Sequence, residues 1–190
     1  MRPSSGMLFM ALACLAPLGM AAPAAAQEFT FEFQLTIGSA SSDWHTFGLR
    51  ADALHGVDAW DLPEPPAPPG ATFSSYLSMF EPLEGLPNRW RHEFRPTSSI
   101  AFDRVELWQL VIEAATGSSC RIDVRARDPI GVAYDLYFFG PGSGRTSLLL
   151  PASVTFPIVA PRMVHYFELR LDAIVATGNS TWGGVKSLFR

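Results

Sequence analysis

The chain has 190 residues, 14 basic against 18 acidic, and a formal net charge of −4. It is 48% hydrophobic and 12% aromatic, which excludes a disordered polypeptide and is enough to fill a sizeable core. An acidic surface does not attract phosphate backbones, so a nucleic-acid-binding role is excluded as a leading class.

The N-terminus sets the expected compartment. Arg2 gives a positive start, residues 7–20 (MLFMALACLAPLGM) form an apolar stretch broken by Pro17, and Ala24 and Ala26 make an A-x-A site before Gln27. This is the three-part pattern of a secretory signal peptide over residues 1–26. The run is shorter than the about 20 apolar residues that a bilayer span requires, so no transmembrane anchor is expected. A lipid-attachment reading at Cys14 finds a poor match in the preceding Ala11-Leu12-Ala13. The expected location is secreted, periplasmic or cell-surface. Cleavage would leave 13 basic residues against 18 acidic ones, a net charge of about −5. It would also leave Cys120 as the single thiol, which rules out an internal disulfide and a multi-thiolate zinc centre.

Residues 28–37 (EFTFEFQLTI) carry the clearest strand pattern. Phe29, Phe31, Phe33, Leu35 and Ile37 alternate with polar residues, giving one apolar and one wet face. A turn follows at 38–43 and a short second strand at 44–49. Residues 47–70 (FGLRADALHGVDAWDLPEPPAPPG) are the least generic part of the chain, and 62–70 holds five prolines in nine residues. Such a run favours an extended path outside a sheet interior. It is expected to be a long ordered loop, spanning 61–70, that covers an edge strand of the domain.

A β rhythm continues to the end. Strands are predicted at 72–80, 89–95, 104–114, 120–126, 131–139, 146–150, 153–159 and 163–174, separated by Gly-, Pro- and Ser-rich turns. No amphipathic helix of three turns is visible. The expectation is an all-β domain over 27–177: an antiparallel two-sheet β-sandwich, Ig-like or jelly-roll, of about nine or ten short strands. Residues 178–190 (GNSTWGGVKSLFR) form a separate C-terminal motif. Parity places Cys120, Trp108 and His165 in the core, the last as a hydrogen-bonded histidine.

Candidate chemistry is sparse. Asp52, Asp58, Asp61 and Glu64 lie within thirteen positions of an irregular segment, and such oxygen donors suit a Ca²⁺ ion. The spacing is not that of an EF-hand, and the preferred reading is that these acids are solvated or cap turns through Asx-type bonds. His45, His55, His92 and His165 are scattered singly, and no Ser sits in a G-x-S-x-G elbow. Carboxylate pairs for glycoside hydrolysis are numerous, but nothing singles one out. Trp44, Trp60 and Trp182 fall in or beside turns and are the candidates for a flat platform on which a sugar ring stacks. The competing reading is that they plug the ends of the core.

The stretch just described also carries a resemblance. Phe47-Gly48, then Gly56 and Asp58, then Asp61 to Pro66 with Pro68 and Pro69, followed by YLSMFEP and RWRHEFRP, resemble a module of exported bacterial proteins. Such modules occur in secreted and surface proteins of groups that use type IX secretion, often as β-sandwich pieces of longer chains. The ending 181–190 (TWGGVKSLFR) is similar to a short C-terminal signature of comparable exported proteins. The resemblance implies no reaction. The resulting expectation is a non-enzymatic module that binds or scaffolds, with carbohydrate or another envelope protein as partner. The alternatives are a secreted polysaccharide hydrolase, or a passenger whose C-terminal residues are a docking or export tag.

Overall fold

The computed structural model describes residues 28–54, 56–80, 84–85, 88–97, 105–127 and 134–171. Its regular structure is twelve strands: β1 (Phe29–Ile37), β2 (Ala40–Ser41), β3 (His45–Arg50), β4 (Leu62–Pro63), β5 (Phe73–Ser78), β6 (Trp90–Pro96), β7 (Val105–Ala114), β8 (Ser119–Ala126), β9 (Tyr134–Gly140), β10 (Gly144–Ser147), β11 (Ala152–Pro157) and β12 (Arg162–Leu171). The described residues contain no α-helix, and the protein is all-β. No helix among them is long and apolar enough to cross a membrane. The expected signal peptide and the C-terminal motif lie outside the described residues.

Each of the ten strands predicted from periodicity overlaps an observed one, the strand expected at 146–150 lying at Gly144–Ser147. The count of nine or ten is nonetheless corrected to twelve, because β2 and β4 are two residues each and too short to show a period. The layout differs too. Hydrogen bonds link the strands into one sheet in the order β10-β9-β12-β7-β5-β6-β3-β1-β8-β11, with β2 added to β1 and β4 to β6. Neighbours are antiparallel except β3 and β6, which run parallel from Thr46↔His92 to Arg50↔Pro96. The sheet turns over at β5–β6, where a single pair, Leu77↔Trp90, is in register.

That turn brings the two arms of the sheet face to face. Phe47 of β3 packs on Phe167 of β12 at 4.5 Å between ring centroids, and Phe33 of β1 meets the same ring at 5.1 Å. Phe138 of β9 reaches Phe156 of β11 at 5.6 Å, closing the core near the two sheet edges. The alternation read in β1 is the cause: Phe29, Phe31, Phe33, Leu35 and Ile37 are all buried. Each fully buried ring of this kind contributes roughly 1.5–3 kcal/mol, and β1 alone supplies three.

Cys120 and Trp108 are core residues, as parity predicted. His165 is also fully buried, stacked on Phe138 and tilted against Phe156, and burial lowers its pKa to about 4. Its hydrogen bonding is weaker than expected. Nδ1 lies 3.5 Å from Ser143 Oγ, and Nε2 has no partner among the described residues. Gly48 serves close packing rather than a turn. It lies in β3, where a Cβ would stand 1.9 Å from the Phe29 carbonyl oxygen, so glycine is what lets β1 and β3 approach. Gly56, at φ 104°, does occupy a turn conformation that favours glycine.

Candidate functional site

The Pro-rich stretch docks at the seam of the sheet. The expectation that it covers an edge strand is corrected: the terminal strands of the sheet are β10 and β11, whereas this stretch lies along β6. β6 needs it because β5 matches only one of its residues. Leu62 pairs with His92 and Pro63 with Trp90, and Glu64 N donates to Arg89 O at 2.9 Å. Pro63 has no N–H to give, so the ladder is continued by a side chain. Asp61 Oδ1 accepts the Phe94 N–H at 2.9 Å, and its Oδ2 accepts the Asp58 N–H at 3.0 Å. Asp61 is 8% exposed, and burial holds its carboxyl above the usual range despite both bonds.

The other acids proposed for calcium are engaged in the same way. Asp58 accepts from Leu54 N and Trp60 N, both at 2.7 Å, capping the turn that carries Trp60. Asp52 pairs with Arg50 at 3.1 Å. Glu64 takes a two-pronged bond from Arg91, at 2.8 Å to Nε and 3.4 Å to Nη2. No three such ligands converge among the described residues. Asp58 caps a turn in the Asx manner, Asp61 accepts from backbone N–H groups, one of them in β6, and Asp52 and Glu64 pair with guanidinium groups.

Arg91 also reaches Asp43 at 3.1 Å, so one guanidinium ties the Pro-rich stretch to the turn before β3. Beneath the prolines lies a cleft of about 510 Å³, lined by Pro65, Pro66, Pro68, Phe73, Ser74 and the Arg91 cluster. His45 forms part of its lining, stacked on Phe33 at 4.8 Å. Its Nδ1 faces Asp43 O at 3.1 Å and its Nε2 faces Ser75 O at 3.0 Å. Burial lowers the His45 pKa, and the neutral ring donates to only one of these carbonyls. This cleft is a clamp: its polar groups bind one another.

A second cleft, of about 570 Å³, lies on the outer face of the β6-β3-β1-β8 arm. Register builds it. His92 stands beside Thr46, Thr46 beside Glu32, and Glu32 beside Arg125, one residue from each of four neighbouring strands. At about 4.8 Å per strand the row spans roughly 15 Å. Trp44, half-buried two positions before Thr46 on the same face, ends the row, with Arg127 at its rim. Arg125 lies over the Trp44 ring at 3.9 Å and binds Glu32 at 2.7 Å, fixing indole and carboxylate together. Burial, then the charges of Arg91 and Arg127, lower the His92 pKa, so its imidazole is a neutral donor and acceptor.

The three tryptophans therefore separate. Trp44 lines a cleft. Trp60, 39% exposed, is likewise covered by an arginine, Arg50 at 3.6 Å, near the far end of β3, about 20 Å away along a six-residue strand, and is not among the residues lining that cleft. Trp182 lies outside the described residues. Glu32, Thr46, His92 and Arg125 were not singled out from sequence. They are far apart in the chain, and only strand register shows that they are neighbours.

Comparison of the chain with protein-family models, with curated proteins and with solved structures found no match.

Proposed function

We propose that this protein is an exported, non-enzymatic β-sandwich module that binds carbohydrate, with the Trp44 cleft as its binding site. The two arms of the curled sheet act as the two layers of the sandwich. The observation that carries the reading is the cross-strand row His92–Thr46–Glu32–Arg125 ending at Trp44. Arg125 covers one face of the Trp44 indole at 3.9 Å, and the opposite face is the one on which a sugar ring would stack. Around it stand a carboxylate, a guanidinium, a neutral imidazole and a hydroxyl, a donor and acceptor set that suits vicinal sugar hydroxyls. These groups sit on strands rather than loops, so the cleft is largely formed before ligand arrives. Export is supported by the N-terminal pattern and by the resemblance of residues 47–70 to modules of secreted and surface proteins.

A glycan array probed with the purified protein tests this. Binding is expected, abolished by Trp44→Ala and retained by Trp60→Ala, with melting curves showing both variants folded. A well-folded protein that binds no glycan sinks the reading and points instead to a protein partner.

A further inference from the structure

We infer that the Trp44 cleft takes an acidic saccharide, one whose rings carry carboxylates, an inference that rests on the carbohydrate reading above. The cleft holds two guanidinium groups and one carboxylate. Arg125 and Glu32 neutralise each other at 2.7 Å. Arg127 is left over. Its side chain is exposed and has no carboxylate partner among the described residues, while its backbone N–H donates to Thr30 O at 2.9 Å and anchors it at the rim. His92 adds no second cation, because burial and the neighbouring arginines lower its pKa.

Among the described residues the cleft thus presents one guanidinium without a carboxylate partner, beside an aromatic face. A guanidinium fork matches a planar carboxylate in two parallel bonds. An uronate ring placed against Trp44 would present its carboxylate toward that rim, with its hydroxyls toward Thr46, Glu32 and His92. The rest of the chain sharpens the choice. It is acidic overall, 18 acidic against 14 basic residues, so a polyanion gains no general electrostatic attraction to the chain and depends on local contacts such as this one.

Isothermal titration of the purified protein with oligogalacturonate, with its carboxyl-reduced neutral counterpart and with a sulfated polysaccharide tests the inference. The uronate is expected to bind at least about tenfold more tightly than the reduced sugar, the loss of one charge-assisted hydrogen bond. Raising the salt concentration should erode that preference. Arg127→Gln should bring the uronate down to the level of the neutral sugar while the neutral sugar is unaffected. Arg127→Lys, which retains the charge and loses the fork, should recover only a small part. Equal affinity for acidic and neutral sugars overturns the inference and leaves the carbohydrate reading standing. Equal capture of the sulfated polymer through Arg127 overturns the carboxylate preference. Binding to none of the three, together with a blank glycan array, overturns both.

Discussion

Glu93→Gln is predicted to stabilise the protein at alkaline pH and to do almost nothing in acid. Glu93 is 2% exposed in β6, and its Oε2 has no hydrogen-bond partner among the described residues. Arg95 bonds its Oε1 at 2.8 Å but also serves Glu106 at 3.1 Å, so one guanidinium is shared between two carboxylates. Burial pushes the Glu93 carboxyl up to about 7; Arg95 opposes the rise, and Asp61 and Glu106 add to it. The folded chain therefore holds this proton more tightly than the unfolded chain does, whose ordinary value is 4.5. Stability from this group is fully present below pH 4.5 and is lost as pH rises to about 7. At about 1.4 kcal/mol per pH unit the loss is on the order of 3–4 kcal/mol. Gln mimics the protonated acid and does not titrate. Urea unfolding followed by tryptophan fluorescence should find Glu93→Gln about 3–4 kcal/mol more stable than wild type at pH 8. The gap should close toward zero near pH 4.5. A gap that does not change with pH, or a variant less stable at pH 8, refutes the reasoning and shows an ionised Glu93 held favourably by Arg95.

Three further outcomes are predicted. Asp61→Ala leaves the Phe94 and Asp58 N–H groups without their acceptor and should cost about 2–4 kcal/mol in urea unfolding; deletion of 61–69 should lower the melting temperature further, and an unchanged melting curve for the deletion would refute the docking role. Gly48→Ala drives a Cβ to within 1.9 Å of the Phe29 carbonyl and should cost more than about 3 kcal/mol or prevent folding; soluble, normally melting protein would contradict the close approach of β1 and β3. Burial pushes the Cys120 thiol up to about 12, so a thiol reagent at pH 8 should label it only in denaturant. Rapid labelling of Cys120 itself in native protein, located by peptide mapping, would place that side chain outside the core.

Much of the fold was legible because the strands obey a two-residue period. In β1 every second residue is a large apolar group and in β8 Cys120, Ile122 and Val124 alternate with charged residues, so strand identity and inward face follow from position. β3 does not reveal its faces, since five of its six residues are buried. β4 is a two-residue pairing that contains a proline, and its partner side chain, Asp61, looks in sequence like one more solvated acid. That is why the Pro-rich stretch was legible as an ordered loop but not as the filler of a seam.

The candidate site was legible only at Trp44, a tryptophan beside a turn. Glu32 and Arg125 are 93 residues apart, and their contact depends on β1 and β8 pairing with Glu32 opposite Arg125. A shift of one residue in that register would turn Arg125 to the core side. Long-range register of this kind leaves no local pattern. For the acids of residues 52–64 closeness in sequence gave the look of a ligand set, whereas in the fold Asp52 and Glu64 pair with arginines and Asp58 and Asp61 accept from backbone N–H groups.

The most direct test of the central claim is residue-resolved mapping of ligand contact. Nuclear magnetic resonance spectra of the labelled protein, recorded during titration with a glycan that binds, should shift the amides of Glu32, Thr46, His92 and Arg125 and the Trp44 indole N–H together, leaving Ser74, Phe73 and Arg91 unmoved. Shifts confined to the cleft beneath the prolines, or spread over the opposite arm of the sheet, would contradict the account.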